Sequence, residues 1–286
     1  MELRETVAHL RVADVEVIVE TTDPDFAAVV RWCFRDLMNR EHQEQAGLTH
    51  HIEVRHRARP WSHWGIWRDG EPCETVLDEG YVLFQLQWEL NRVVLERRRC
   101  TIHAAAVALD GRCIVLCGST MSGKTTLAGW MAAHGAGYVA DEIVALTPDG
   151  LALDYHRPLG VRHGGPLDPL FTHPDDLDRR FDSYEMLVPV SALQGGAIAA
   201  TPLPVAAVVF PQYEVGAPTA LTTVPKSEAL TRLCDNSPGF GRHGRSVILE
   251  LAHLVKEVPT VALVSSDMSR ADELLRALVH DSAVAS

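Results

Sequence analysis

The chain of 286 residues is 47% hydrophobic and 22% charged, the balance of a folded globular protein and not of a disordered one. Its net charge of −12 leaves no basic stripe for a phosphodiester backbone, which argues against a nucleic-acid partner. No apolar run reaches the length of a membrane span and Met1–Glu5 does not read as a signal peptide. Six cysteines without a Cys-x-x-Cys pair read as reduced thiols, so the expected setting is the cytoplasm, with no membrane partner.

Residues 1–75 read as a small N-terminal α/β unit. Val15–Glu20 has the alternation of a strand, and Asp23-Pro24-Asp25 starts a helix that turns Phe26, Val29, Val30, Cys33, Phe34 and Leu37 inward. His51–Val54 and Trp64–Trp67 are further short strands. His42, His50, His51, His56 and His63 fit no common metal spacing and read as loop and strand residues. Trp61, Trp64 and Trp67 read as core or domain-contact residues. A helix is predicted from about Thr75 to Arg99, with Leu83, Leu86, Leu90, Val93 and Val94 on its apolar face and Arg97-Arg98-Arg99 complementing its dipole. Thr101–Leu109 and Arg112–Cys117 are then strands joined by Asp110-Gly111, a strong hairpin signal. Cys113 and Cys117 share one face of the second strand, as small core residues do.

That strand runs into Gly118-Ser119-Thr120-Met121-Ser122-Gly123-Lys124-Thr125, a phosphate-binding loop with the spacing Gly-x4-Gly-Lys-Thr. Its glycines let backbone N–H groups turn inward, Lys124 reaches β and γ phosphates, and the Thr125 hydroxyl suits Mg²⁺. The run from Gly118 through Thr126 is therefore the expected nucleotide cradle, and Leu127–Met131 continues as a helix whose positive end faces the phosphates. The next strand, Gly137–Leu146, is interrupted by Asp141-Glu142, carboxylates of the kind that hold Mg²⁺ or accept a proton from an attacking hydroxyl. No Asn-Lys-x-Asp guanine-reading motif is present.

After Pro148-Asp149-Gly150, a short strand spans Leu151–Tyr155, and the pattern loosens beyond residue 157. A polar helix is expected near Asp175–Tyr184, with Gly195-Gly196 as a break. Regular elements return as the strand Val205–Phe210, the helix Ser227–Cys234, the loop Asp235–Gly244, the helix Ser246–Glu257, the strand Thr260–Val264 and a helix near Met268–Val279. Arg162, Arg242 and Arg245 lie among glycines and are candidates to neutralise a transferred phosphoryl group.

The segment Ile102–Gly118, with His103 on the strand before the hairpin, together with the loop and Gly137–Glu142, resembles the catalytic domain of HPr kinase/phosphorylase. It is more distantly similar to the ATP-dependent phosphoenolpyruvate carboxykinases. In those proteins a strand histidine, the phosphate loop and a paired acidic motif form one site. The resemblance implies an α/β architecture: a mixed-sheet phosphate-loop domain over residues 76–286, with the loop at the sheet edge. It also implies ATP with Mg²⁺ as phosphoryl donor and transfer to a serine-type hydroxyl. Carried over position by position, Lys124 steadies the β and γ phosphates and Thr125 ligates Mg²⁺. Asp141 is the candidate base, and Glu142 shares a metal or phosphate site with His103, the two acids being free to exchange roles as a coupled pair. Within the group the chain looks most like the stand-alone HPr-kinase-like proteins of ribosomally made peptide pathways, including lasso peptides, where a serine of a precursor peptide is modified. The family's tendency to assemble points to a homo-oligomer.

The match runs over about residues 80–155. It departs from the family at Met121, where glycine is frequent, and at Glu142, where the second acid is usually Asp. It also lacks a counterpart to the segment that supports phosphorolysis and HPr docking. Two alternatives stay open: a kinase of a free small-molecule hydroxyl such as an amino acid or sugar, and a non-catalytic nucleotide-responsive binding module.

Overall fold

The structure is a computed structural model and describes residues 5–38, 49–57, 61–174, 177, 179–181 and 185–284. The chain divides into two compact units, one formed by Met1–Val94 with Arg157–Leu193, the other by Leu95–His156 with Gln194–Ser286. Residues 76–94 and 157–193 therefore belong with the N-terminal part, a larger unit than the 1–75 expected. Both units are mixed α/β.

The first unit opens with β1 (Glu5–Val12) and β2 (Val15–Thr21), then α1 (Pro24–Cys33). β3 (Thr49–Arg57), β4 (His63–Arg68) and β5 (Glu71–Leu77) follow, and α2 (Glu79–Arg97) begins. The strands form one sheet in sequence order, antiparallel except for β2 against β3, whose parallel pairing needs the crossover that α1 supplies. α1 starts where the sequence places it: Asp23 caps it by accepting from the Phe26 N–H at 2.9 Å, and Phe26, Val29, Val30 and Cys33 are buried. Phe26, Trp64 and Phe181 then pack ring against ring at 5.1–5.3 Å, an aromatic centre for the unit.

Two expectations change here. Residues 71–77 pair with β4 as a strand, so the helix starts at Glu79 and not at Thr75. Trp61 is exposed, not core, while Trp67 lies under the Arg55 guanidinium at 4.3 Å. No histidine, cysteine or acidic cluster suited to a metal occurs among the described residues; His50 meets Asp69 at 2.6 Å and His56 stacks on Trp64. His42 lies outside the described residues, as does most of Asp175–Tyr184, where Arg179–Phe181 forms a short 3-10 turn.

The second unit carries β6 (Thr101–Ile102), β7 (Ala104–Leu109), β8 (Arg112–Cys117), α3 (Lys124–Ala133), β9 (Gly137–Ala140), β10 (Val144–Ala145) and β11 (Leu151–Ala152). β12 (Leu159–Val161) and β13 (Met186–Val188) pair with each other in the first unit. β14 (Ala197–Ile198), β15 (Leu203–Tyr213), β16 (Ala220–Thr223), α4 (Lys226–Asp235), α5 (Phe240–Glu257), β17 (Thr260–Ser265) and α6 (Met268–Val284) complete the second. Its main sheet has the order β14-β9-β7-β8-β15-β17-β16, with β8, β15 and β17 parallel and β7 antiparallel to both its neighbours. The hairpin turn is as the sequence predicts, with Asp110 at φ 49° and Gly111 at φ 73°, the positive angles a two-residue connection requires.

Cys113–Cys117 of β8 are buried, as in an interior strand, and β8 lies between β7 and β15, so the loop leaves the middle of the sheet and not the edge that the resemblance implies. Ile114 and Leu116 pack with Leu127 and Met131 of α3 and Leu275 and Val279 of α6, the layer that holds the loop's strand and helix together. α5 is helical from Phe240, earlier than expected, and breaks at Gly244 (φ 21°, ψ −89°), where the sequence places the end of a loop. No helix among the described residues is long and apolar enough to cross a membrane.

Two glycines at the start of α5 give opposite expectations. A Cβ on Gly239 would lie 2.1 Å from the Arg99 carbonyl oxygen, so Gly239→Ala is expected to cost about 1–3 kcal/mol or more in denaturant unfolding. Gly241 has open space, and Gly241→Ala is expected to be neutral or to stabilise by up to about 1 kcal/mol. Equal stability of the two variants would contradict this close approach.

Candidate functional site

The loop leaves the carboxyl end of β8 and enters α3 through Gly123, which caps the helix at φ 95° without any side-chain bond to the first turn. No acidic residue sits in that turn. The first N–H groups of α3 therefore face outward uncapped, the arrangement that attracts an anion. Met121 holds φ 71°, the left-handed conformation that favours glycine, and its side chain is 70% exposed. The loop thus keeps a glycine-type backbone at this position although the residue differs.

Lys124 is 5% exposed, and its Nζ donates to the carbonyls of Gly118 at 2.8 Å and Ser119 at 2.9 Å. An ammonium has three N–H donors, so one is left for a ligand oxygen. Thr125 donates its hydroxyl to Asp141, at 2.9 Å to Oδ2 and 3.2 Å to Oδ1. Asp141 is 1% exposed, and a carboxylate so buried needs hydrogen-bonding partners to stay charged.

The strand expected over Gly137–Leu146 is not continuous. β9 ends at Ala140, Glu142 turns through φ 64°, and the chain resumes as β10. The expected strand Thr101–Leu109 breaks in the same way at His103, between β6 and β7. β6 and β10 then pair with each other away from the main sheet, Ile102 opposite Val144 and Thr101 opposite Ala145. The two breaks face one another across this small ladder, bringing His103 to Glu142: Nδ1 lies 3.1 Å from the Glu142 carbonyl and 3.2 Å from its Oε2. Both partners are acceptors, so Nδ1 carries the proton and the neutral ring keeps its lone pair on Nε2. A non-glycine residue at positive φ costs about 1–3 kcal/mol, and here it turns Glu142 back towards the imidazole.

α4 anchors this edge from a third direction. The His103 N–H donates to the carbonyl of Asn236 at 2.6 Å, and Ser237 Oγ donates to the Thr101 carbonyl at 2.8 Å. A cavity of about 540 Å³ opens beside the loop, over the ends of β8, β15 and β17. Arg232 and Asn236 of the α4 end line it with Tyr213 and loop residues 118–122. Sequence reasoning missed both, because α4 carries no motif. Arg162 instead pairs with Glu185 at 2.9 Å in the first unit, and Arg242 and Arg245 are exposed on α5 and do not line the cavity.

Comparison with protein-family models and with curated proteins gives no match.

The thiols around the loop's strand are inert by burial. Burial pushes Cys100, Cys113 and Cys117 up to about 12, for Cys117 against the opposing positive charges of Lys124 and Arg232. The unfolded chain loses these protons near the ordinary value of 9.0, so stability is expected to hold below that pH and to fall as pH climbs towards 12. At pH 8, Ellman's reagent should modify Cys73 and Cys234 first and reach these three only on unfolding. Rapid modification of Cys117 in the folded protein would contradict the burial of β8.

Proposed function

We propose that the chain is an ATP-dependent kinase of the HPr-kinase-like type, which transfers the γ-phosphoryl group of ATP to a hydroxyl, on a serine of a peptide or small protein. The observation that carries this is the gathering, around the carboxyl end of β8, of the loop lysine, the Thr125–Asp141 contact and the His103–Glu142 pair. A phosphate loop alone supports nucleotide binding; a paired imidazole and carboxylate beside it supports removal of a proton from an acceptor.

The roles follow from burial and partners. Lys124 and the uncapped N–H groups of α3 bind the phosphates. Thr125 and Asp141 offer hard oxygen donors 2.9 Å apart, a set that fits Mg²⁺ held jointly with phosphate oxygens. Bound there, Mg²⁺ would neutralise charge on the triphosphate. Asp141 was the sequence candidate for the base, but its carboxylate is buried and accepts from Thr125. His103 and Glu142 are partly exposed and suit that role better. His103 Nε2 takes the proton of the acceptor hydroxyl, whose oxygen bonds to the γ phosphorus as the bond to the β–γ bridging oxygen breaks and ADP leaves. Glu142 holds Nδ1–H and stabilises the imidazolium that results.

Transfer of labelled phosphate from γ-labelled ATP to a panel of serine peptides and small hydroxyl compounds checks this. Lys124→Ala, Asp141→Asn and His103→Ala are each expected to lower transfer about 10²–10⁴-fold, with ATP still bound by the His103 variant. Wild-type transfer by His103→Ala would remove the base from this residue. Wild-type transfer by Asp141→Asn would remove the metal role of that carboxylate. Tight ATP binding with no transfer to any acceptor would leave a nucleotide-responsive binding module instead.

A further inference from the structure

The cavity beside the loop carries a cation on its wall, in addition to Lys124 within the loop. Arg232 sits on the last turn of α4, with its guanidinium carbon 5.0 Å from the ring centre of Phe210 and Nη2 donating to Glu228 at 2.5 Å. Phe210 and Arg232 both line the cavity, so the guanidinium over the ring is presented at its wall. Lys124 and Arg232 both lie near enough to the Cys117 thiol at the end of β8 to oppose the effect of its burial, so two positive charges stand close to the point where the loop begins. Ser122, in the loop and on the cavity wall, has a buried hydroxyl oxygen that makes no hydrogen bond among the described residues. Asn236, next along on the same wall, ties α4 to His103 through its carbonyl.

Building on the assignment of the loop to a nucleotide, we propose that Arg232 is the second phosphate-binding cation of this site, gripping the ATP triphosphate from the cavity side while Lys124 holds it from within the loop. Three features favour a triphosphate. A forked guanidinium matches two phosphate oxygens at once, its place over the Phe210 ring limits its freedom, and loop residues 118–122 line the same cavity. Glu228 holds the fork in the absence of an anion and competes with one for it. Arg232 thereby takes the place that sequence reasoning offered to Arg162, Arg242 and Arg245.

Calorimetric titration of ATP with Mg²⁺ into the full chain tests this, with thermal unfolding of each variant as the folding control. Arg232→Ala is expected to weaken ATP about 10–100-fold with little change in melting temperature. Arg232→Lys should recover only part of that loss, because a point charge replaces a fork. Glu228→Gln, which frees the guanidinium, should tighten ATP about twofold. Wild-type ATP affinity in Arg232→Ala, with Lys124→Ala having lost binding, overturns the role of Arg232 and leaves the loop standing. Wild-type affinity in both variants overturns the loop assignment as well. Normal ATP affinity in Arg232→Ala with a raised KM for the acceptor also overturns the proposal, since the cation would then serve the acceptor.

Discussion

A loop hydroxyl bonded to a buried carboxylate sets the geometry at the loop end of the second unit. Thr125 lies in the first turn of α3, after β8, and Asp141 follows β9, strands that flank β7 in the sheet, and their 2.9 Å contact fixes the loop's exit against the strand end. Burial makes the contact stringent, because a carboxylate shielded from water loses several kcal/mol of solvation that hydrogen bonds must replace. The same constraint explains why β9 cannot run on as a regular strand. Once Asp141 is turned to the loop, the next residue takes a left-handed angle, and Glu142 reaches the imidazole of His103 while staying partly exposed.

His103 is held from both sides of its own break. Its ring meets Glu142, while its backbone N–H meets the end of α4, the helix whose last turn carries Arg232 into the cavity. The backbone segments that carry the imidazole, the buried acid and the arginine are therefore tied together by short contacts at His103. Preorganisation of this kind matters for phosphoryl transfer, where positioning and electrostatic stabilisation do most of the work.

Much of this edge was legible in the sequence because it is local. The Gly-x4-Gly-Lys-Thr run, the apolar strand before it and the Asp110-Gly111 turn each specify their own backbone, and the structure has them where expected. The start of α1 at Asp23 was legible for the same reason. Features that depend on distant partners were not. The paired breaks at His103 and Asp141–Glu142 appear as continuous strands in the sequence, since Val144 and Ala145 are as apolar as the residues of a main-sheet strand and only their pairing with Ile102 and Thr101 sets them apart. The end of β5, from Thr75 to Leu77, was read into the following helix because the strand's residues are largely exposed and carry no inward alternation. Residues 157–193 pack with the N-terminal part through long-range contacts that no local pattern announces. Arg232 lies on an ordinary amphipathic helix, and its position at the cavity follows from how α4 docks.

The most direct test of a metal position at Thr125 and Asp141 is the Mg²⁺ dependence of ATP affinity, measured by calorimetry with Mg²⁺ or with excess EDTA, in the wild type and in Asp141→Ala. The expected result is that Mg²⁺ tightens ATP about tenfold or more in the wild type and that this gain disappears in the variant, while metal-free affinity barely changes. Equal affinity with and without Mg²⁺ in the wild type, or the full gain surviving in Asp141→Ala, would contradict it.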